Sequence, residues 1–348
     1  MKLLMITRKV DRNDHLAGFT YNWVKKIGEQ VEELRVISWQ EGDSFGLPEN
    51  IKVYHLPTNG NKFLKIIKFK LLVWKNLNGV DGIFCHQMPI YTIIAGFLAR
   101  LKGKKVVSWY MHKQVDWRVK LMEKIANVIL SASKESFRLP SKKLVITGHG
   151  IDIKMFKLGQ KNQNNDIFKI ISIGRISPTK DYESMIKAVD ILVKKGISNI
   201  KLTIIGDAGL ASQKVYFENL KQMYLKMGLQ GKVEFLGSKP NNEISAYLQQ
   251  SDLFINMSST GSIDKAVLEA MSCGCLVLTA NEAFLGILPE ELRTERDNPQ
   301  ILAGKIKAII NIPSEKSSKL REDLRQEVVE NHNLDNLVKK IVQCFSKD

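Results

Sequence analysis

The stretch SIGRISPTKDYES sets two cations, Arg175 and Lys180, between a β-branched run and the start of a helical pattern. At the carboxyl edge of a parallel sheet, beside a helix N-terminus that already favours anions, such a pair can hold a diphosphate. The same residues could equally be solvated surface charges, as most lysines and arginines are. A second stretch, SSTGSIDKAVLEAMSCG, sets one carboxylate, Glu269, among Ala266, Val267, Leu268, Ala270 and Met271. Burying a carboxylate without a partner is costly, so Glu269 either faces solvent or hydrogen-bonds to something. Its two oxygens could accept from a vicinal diol such as a ribose. The competing reading is an i,i+4 pair with Lys265 on a solvated face, which fits poorly with the apolar residues on both sides. Thr260 or Ser262 is expected to cap this helix, leaving free amides in its first turn. Ser262, Lys265 and Glu269 should then share one helix face.

Other chemistry is harder to place. Gly206-Asp207-Ala208-Gly209 follows a predicted strand, where glycines either admit a ligand close to the backbone or simply turn the chain. No G-x-G-x-x-G stands in a suitable place, GHG at 148–150 lacks a third glycine, and no Walker A loop occurs. The four cysteines (Cys85, Cys273, Cys275, Cys344) include no C-x-x-C pair, so neither a zinc site nor a disulfide framework is suggested.

The elements that must position these residues follow from the apolar rhythm. Strands are predicted at Leu3–Thr7, Leu34–Ser38, Ile51–His55, Gly82–His86, Lys105–Tyr110, Val128–Ser131 and Leu144–Thr147. Helical stretches such as Phe19–Gln30 and Ile90–Leu101 lie between them. The pattern restarts at Lys169–Gly174, Ile200–Ile205, Lys232–Leu236, Asp252–Met257 and Leu276–Ala280. Such alternation argues for α/β architecture with parallel sheets covered by helices on both faces, in two Rossmann-like doubly wound domains. Two facing domains would enclose a cleft. We expect an N-terminal domain over 1–157 and a C-terminal domain over 158–332, with a polar linker at Met155–Asp166. A final amphipathic helix within 333–348 is expected to return to the first domain.

Composition narrows the classes. At 348 residues and 44% hydrophobic, the chain is a globular one with room for two domains. No apolar run reaches the roughly 20 residues needed to cross a bilayer, and MKLLMIT reads as a first strand rather than a leader. A cytoplasmic location is the default expectation. The net charge of +16 is uneven: residues 1–150 carry 25 Lys and Arg against 12 Asp and Glu, and the remainder is nearly balanced. A basic first half suggests an anionic partner.

Taken together, GR-x4-K at 174–180, the glycine turn after the next strand, F-L-G at 235–237 and LEAM-x-CG at 268–274 resemble the second domain of family 4 retaining glycosyltransferases. HGID-x3-F at 149–156 is similar to that family's hinge phrase, with His149 in place of its usual Asn. The resemblance implies the GT-B architecture and a nucleotide-sugar donor. It also implies a glycan or lipid-linked acceptor, and no cofactor or metal, since a charge clamp takes a metal's place. By position it implies that Arg175 and Lys180 hold the donor diphosphate, with Gly18 in the phosphate loop, and that Glu269 binds the ribose. Gly237 and Lys239 would lie beside the base; the amides of Gly261, Ser262 and Ile263 would face sugar and phosphate. His112 resembles the histidine near the reacting sugar. The family's paired glutamates are broken here, because the first falls at Gly261; Asp264 and Lys265 are the residues of this variant loop that could substitute. That departure leaves two alternatives, a sugar-nucleotide epimerase of the same fold and a non-catalytic scaffold protein that binds nucleotide-sugar.

One further stretch, NKFLKIIKFKLLVWK at 61–75, has five lysines and no acid. As a helix it groups Phe63, Leu64, Ile67, Leu71 and Trp74. We expect that face to pack inward while the lysines make a peripheral contact with an anionic membrane. No nucleic-acid-binding motif accompanies the charge, so nucleic acid is not expected.

Overall fold

The computed structural model describes residues 1–14, 18–159 and 166–346. The chain divides into two compact units: Met1–Asp152 with the chain from His332 onward, and Ile153–Asn331. The breaks fall at Asp152/Ile153 and Asn331/His332 rather than at 157/158 and 332/333. The reason is local: the Ile151 amide donates to His332 O (2.6 Å) and the Leu334 amide to Ile151 O (2.9 Å). The two crossing segments are thereby pinned side by side within the first unit.

In that unit β1 (Lys2–Thr7), β2 (Glu33–Ser38), β3 (Ile51–His55), β4 (Gly82–His86), β5 (Lys105–Trp109), β6 (Val128–Ser131) and β7 (Leu144–Ile146) form one sheet. Its order is β3-β2-β1-β4-β5-β6-β7 and every pair is parallel. Alternate residues of β1 serve opposite faces, as the period of two requires. Leu3 and Met5 meet Trp23, Val24 and Ile27 of α1 (Gly18–Gly28). Leu4 and Ile6 join the cluster of α2 (Lys62–Asn76) and of the broken helix that follows. That helix is α3 (Pro89–Tyr91), a π-helical stretch (Thr92–Gly96) and α4 (Phe97–Leu101), where one continuous helix was expected. Asp116 caps α5 (Trp117–Ile125) by accepting from the amides of Arg118 and Val119.

The orientation of α2 corrects the expectation for 61–75. Phe69 and Val73 face the sheet and are fully buried, whereas Phe63, Leu64, Ile67, Leu71 and Trp74 are 39–69% exposed. Both arcs of the helix are apolar, and the sheet takes the narrower one.

The second unit repeats the plan. β8 (Phe168–Ile173), β9 (Ile200–Ile205), β10 (Val233–Phe235), β11 (Leu253–Asn256) and β12 (Leu276–Thr279) form a parallel sheet of order β10-β9-β8-β11-β12. Its helices are α6 (Tyr182–Lys194), α7 (Ala211–Lys226), α8 (Asn241–Gln249), α9 (Lys265–Ser272), α10 (Pro299–Ile310) and α11 (Ser314–Asn331). In each sheet the winding reverses between its first and fourth strands, β1 and β4, then β8 and β11. Ligands of doubly wound sheets bind beyond the carboxyl ends at that point.

The last helix, α12 (Leu334–Gln343), belongs to the first unit. Its face of Leu334, Leu337, Val338 and Ile341 joins the cluster of α1. Gly150 makes room for it: at φ +80 a Cβ there would lie 2.5 Å from Leu337 Cδ2 and 2.9 Å from Trp23 Cζ2.

Candidate functional site

At the carboxyl ends of β8, β9 and β10 the chain is packed backbone on backbone. The Gly174 amide donates to Ile205 O (3.0 Å) and the Gly206 amide to Gly237 O (2.9 Å). A Cβ on Gly206 would stand 1.9 Å from Gly174 O, so only glycine fits. The buried Tyr182 hydroxyl donates to Gly174 O (3.0 Å), fixing the turn that carries Arg175.

Lys180 closes a single 3-10 turn, Pro178–Lys180. Asp181 follows in the left-handed region (φ +48) and caps α6 by accepting from the Ser184 amide (3.2 Å). The Asp181 carboxylate is thus committed to the α6 N-terminus. Lys180 Nζ donates to Asp264 Oδ2 (2.5 Å), which also accepts from Asn256 Nδ2 (3.0 Å) at the end of β11. Burial pushes the Asp264 carboxyl up, but Lys180 and the Asn256 amide outweigh it and hold it below the usual carboxylate range. Arg175 is exposed and forms no ion pair among the described residues. One cation of the predicted clamp is therefore held in place by a carboxylate, the other open to a ligand.

The loop from Met257 to Asp264 is tied on all sides. The Ser259 amide donates to Thr179 O (3.2 Å), Asn281 Nδ2 to Ser262 O (2.8 Å), and Thr279 Oγ1 to Asn256 Oδ1 (3.1 Å). Gly261 is buried at φ +61, a conformation that costs a side-chain-bearing residue about 1–2 kcal/mol. Neither Thr260 nor Ser262 caps the next helix. It starts later than expected, with Asp264 in the cap position and its carboxylate turned to Lys180 and Asn256. Ser262 therefore lies off the helix and does not share a face with Glu269; its buried Oγ has no hydrogen-bond partner among the described residues. Ile263 is buried in the same loop.

Glu269 is only 5% exposed, and Lys265 Nζ donates to its Oε1. The i,i+4 pair does form, on a buried rather than a solvated face. Lys265 also lies 5.8 Å from the centre of the Phe156 ring. Two residues with no sequence signal beyond their charge hold the far end of α9. Arg325 donates to Ser272 O and Phe156 O, and Arg321 to Gly274 O (2.7 Å). Asn256 and Asn281 likewise escaped sequence reasoning. Gly237 (φ +68) and the half-buried Lys239 follow β10, the edge strand two places from β8. Among the described residues no cluster of His, Cys, Asp and Glu could hold a metal.

The remaining predicted residues lie in the first unit. Gly18 opens α1, its amide bonded to Asp14 O (2.8 Å); residues 15–17 of its loop lie outside the described residues. His112 is exposed, and its Nδ1 accepts from the Gln114 amide (3.1 Å), which places the neutral ring's proton on Nε2. At the switch point of this sheet, Thr7 Oγ1 and His86 Nδ1 are 3.0 Å apart. Burial, then His149 and Arg8, lowers the His86 pKa to about 3.

Two doubly wound parallel units, the second with a charge pair and an open arginine at its switch point, define the GT-B class of fold. Residues 153–330, just over half of the chain, match the model for glycosyl transferases group 1, and the chain belongs to that family. It is 25% identical over 250 residues to a phosphatidylinositol N-acetylglucosaminyltransferase component of Arabidopsis thaliana, covering 66% of this chain and 53% of that one. It is 29% identical over 157 residues to the amylovoran biosynthesis glycosyltransferase AmsK of Erwinia amylovora, covering 43% and 37%. The chain thus spans about half or less of the length of these relatives. A crystal structure of Anabaena Alr3699/HepE in complex with UDP and glucose superposes with a TM-score of 0.80 at 16% identity, covering 100% of both chains.

Proposed function

We propose that this chain is a cytoplasmic retaining glycosyltransferase. It moves a sugar from a nucleotide-diphosphate donor to a hydroxyl of a lipid-linked or polysaccharide-precursor acceptor, without a metal. The observation that carries this reading is the Lys180–Asp264 pair beside the open Arg175 at the β8/β11 switch point.

Arg175 and Lys180 neutralise the diphosphate as it departs, a preorganised charge clamp that serves where a metal otherwise would. Asp264 holds Lys180 in place before the donor arrives. Lys265 occupies Oε1 of Glu269 and leaves Oε2 for the ribose hydroxyls. Gly237 and Lys239 lie beside the base, and the backbone of Gly261, Ser262 and Ile263 faces sugar and phosphate, joined by the Ser262 hydroxyl. Gly18 lines the phosphate loop of the first unit. His112, with its proton on Nε2, donates to the transferred sugar rather than acting as a base. The bond from the anomeric carbon to the diphosphate breaks, the acceptor oxygen bonds on the same face, and its proton passes to the departing phosphate.

Gly261 favours one second reading, a protein that binds nucleotide-sugar without turnover. Incubating the full chain with nucleotide-sugars and a short-chain lipid-linked acceptor, and reading the product anomer by NMR, separates the two. A product with the donor's anomeric configuration supports the proposal; an inverted one, or donor binding with no product, contradicts it.

A further inference from the structure

The outward face of α2 is an exposed apolar feature that the proposed reaction leaves without a role. Phe63, Leu64, Ile67, Leu71 and Trp74 recur at helical spacing on one side of a four-turn helix, exposed by 69%, 62%, 39%, 64% and 47%. The inward face, Phe69 and Val73, already covers the sheet, so the outer residues add nothing to the core. Phe97 and Leu101, one turn apart on α4, are exposed as well. Lys102 links the ends of the two helices, donating to Trp74 O (3.1 Å) and Asn78 Oδ1 (2.6 Å) with its ammonium 4.0 Å above the Trp74 ring.

The charges on the helix itself are all of one sign, with Glu41 the acidic neighbour of its inward Lys65. Lys70 borders the ridge on one side, Lys68 and Lys75 on the other, all exposed; Lys62 is exposed at the N-terminal end, and α2 contains no acidic residue. The fifth lysine, Lys65, is turned inward over the Trp39 ring (5.0 Å). An apolar arc carrying Phe, Leu and Trp, flanked on both sides by lysine, is the pattern of a helix that lies in the plane of a membrane interface. A second copy of this chain would set lysines against lysines, so charge complementarity disfavours it.

We propose that the outer face of α2, extended by Phe97 and Leu101, docks the protein on the surface of an anionic lipid bilayer. The apolar ridge enters the acyl boundary, and Lys68, Lys70 and Lys75 meet the headgroup charge. This surface is separate from the predicted donor residues and does not depend on their roles.

The test is co-sedimentation of the full chain with vesicles of phosphatidylcholine mixed with phosphatidylglycerol, against phosphatidylcholine alone. The wild type should pellet with the anionic vesicles only, less at high salt. Leu64→Asp combined with Leu71→Asp should abolish pelleting, and each of Lys68→Gln, Lys70→Gln and Lys75→Gln should weaken partitioning about fivefold. All these positions are exposed, so an unchanged thermal midpoint checks that the variants fold. A wild type that stays in the supernatant overturns the proposal, as do variants that pellet like the wild type. A wild-type dimer that the Leu64/Leu71 double variant splits assigns the face to a second copy and overturns it too.

Discussion

Lys180 and Asp264 stand 84 residues apart in the chain and meet at 2.5 Å, each side chain 15% exposed. One comes from the loop after β8, the other from the loop after β11, so the pair spans the point where the second sheet reverses its winding. Asn256 completes it, donating from Nδ2 to the same Asp264 oxygen (3.0 Å).

Removing the cation should therefore damage two things at once. Lys180→Ala takes a charged hydrogen bond from the donor diphosphate and leaves Asp264 repelling it. We expect nucleoside diphosphates to bind about 10–100-fold more weakly, from about 1.5–3 kcal/mol for such a bond. Adding Asp264→Asn to Lys180→Ala should recover part of that loss. Isothermal titration of the single and double variants measures it, and equal affinities in both would remove Asp264 from the account.

Lys265 and Glu269 form a second pair, in which the carboxylate is buried and the lysine partly so. Lys265→Met leaves a carboxylate without its cation in an apolar surround and should cost about 2–4 kcal/mol, whereas Lys265→Met with Glu269→Gln should cost less than the sum. Denaturant unfolding of the four proteins gives the coupling energy; additive effects would mean that the two charges are neighbours without being coupled. Binding adds a sharper distinction: Glu269→Gln should weaken a nucleoside diphosphate but leave inorganic pyrophosphate unaffected.

Acid should weaken the first unit before the second. Burial, with Lys340 adding, lowers the His332 pKa to about 4, and the buried His86 is held at about 3. Both are neutral in the folded chain, while in the unfolded chain they take a proton near pH 6.5. Below about pH 6.5 the unfolded state thus binds more protons, and stability falls as pH falls towards 4, by up to about 1.4 kcal/mol per pH unit for each histidine. Asp264, whose carboxyl is lowered, adds stability above its ordinary pKa that is lost at still lower pH. His332→Asn keeps an acceptor for the His149 amide and should flatten the fall in thermal midpoint; an unaltered slope would refute the assignment.

Two glycines beside the site should respond differently to the same methyl group. Gly206→Ala meets the Gly174 carbonyl at 1.9 Å and should destabilise by about 3 kcal/mol or more. Gly237→Ala has open space around it and bears only the strain of φ +68, about 1–2 kcal/mol. Thermal melts of both rank them, and a reversed order would contradict the packing of the strand ends.

These residues also mark what the sequence made legible. Every predicted strand exists, most to within a residue or two, because strands buried on both faces read as continuous β-branched runs bounded by turns. Arg175, Lys180 and Glu269 stood out because cations at a strand end and a carboxylate amid apolar residues are locally improbable. Asn256, Asn281, Arg321 and Arg325 did not, since their partners are backbone atoms or residues distant in sequence. The cap of α9 was misplaced for the same reason: a local rule favoured Thr260 or Ser262, while the long-range partner Lys180 fixed Asp264. On α2 the pattern showed two apolar arcs, and periodicity alone gave no ground for choosing which one the sheet would take.

The central claim is that Arg175, Lys180 and Glu269 hold a nucleotide-diphosphate donor, and thermal unfolding of the full chain tests it most directly. The wild type, Arg175→Ala and Glu269→Gln are melted with a panel of nucleoside diphosphates and their sugars. A ligand at a hundred times its dissociation constant should stabilise the wild type by about 2.7 kcal/mol, and both variants should lose most of that response. If no nucleotide raises the midpoint, or if the variants respond as the wild type does, the donor site is not where these residues stand.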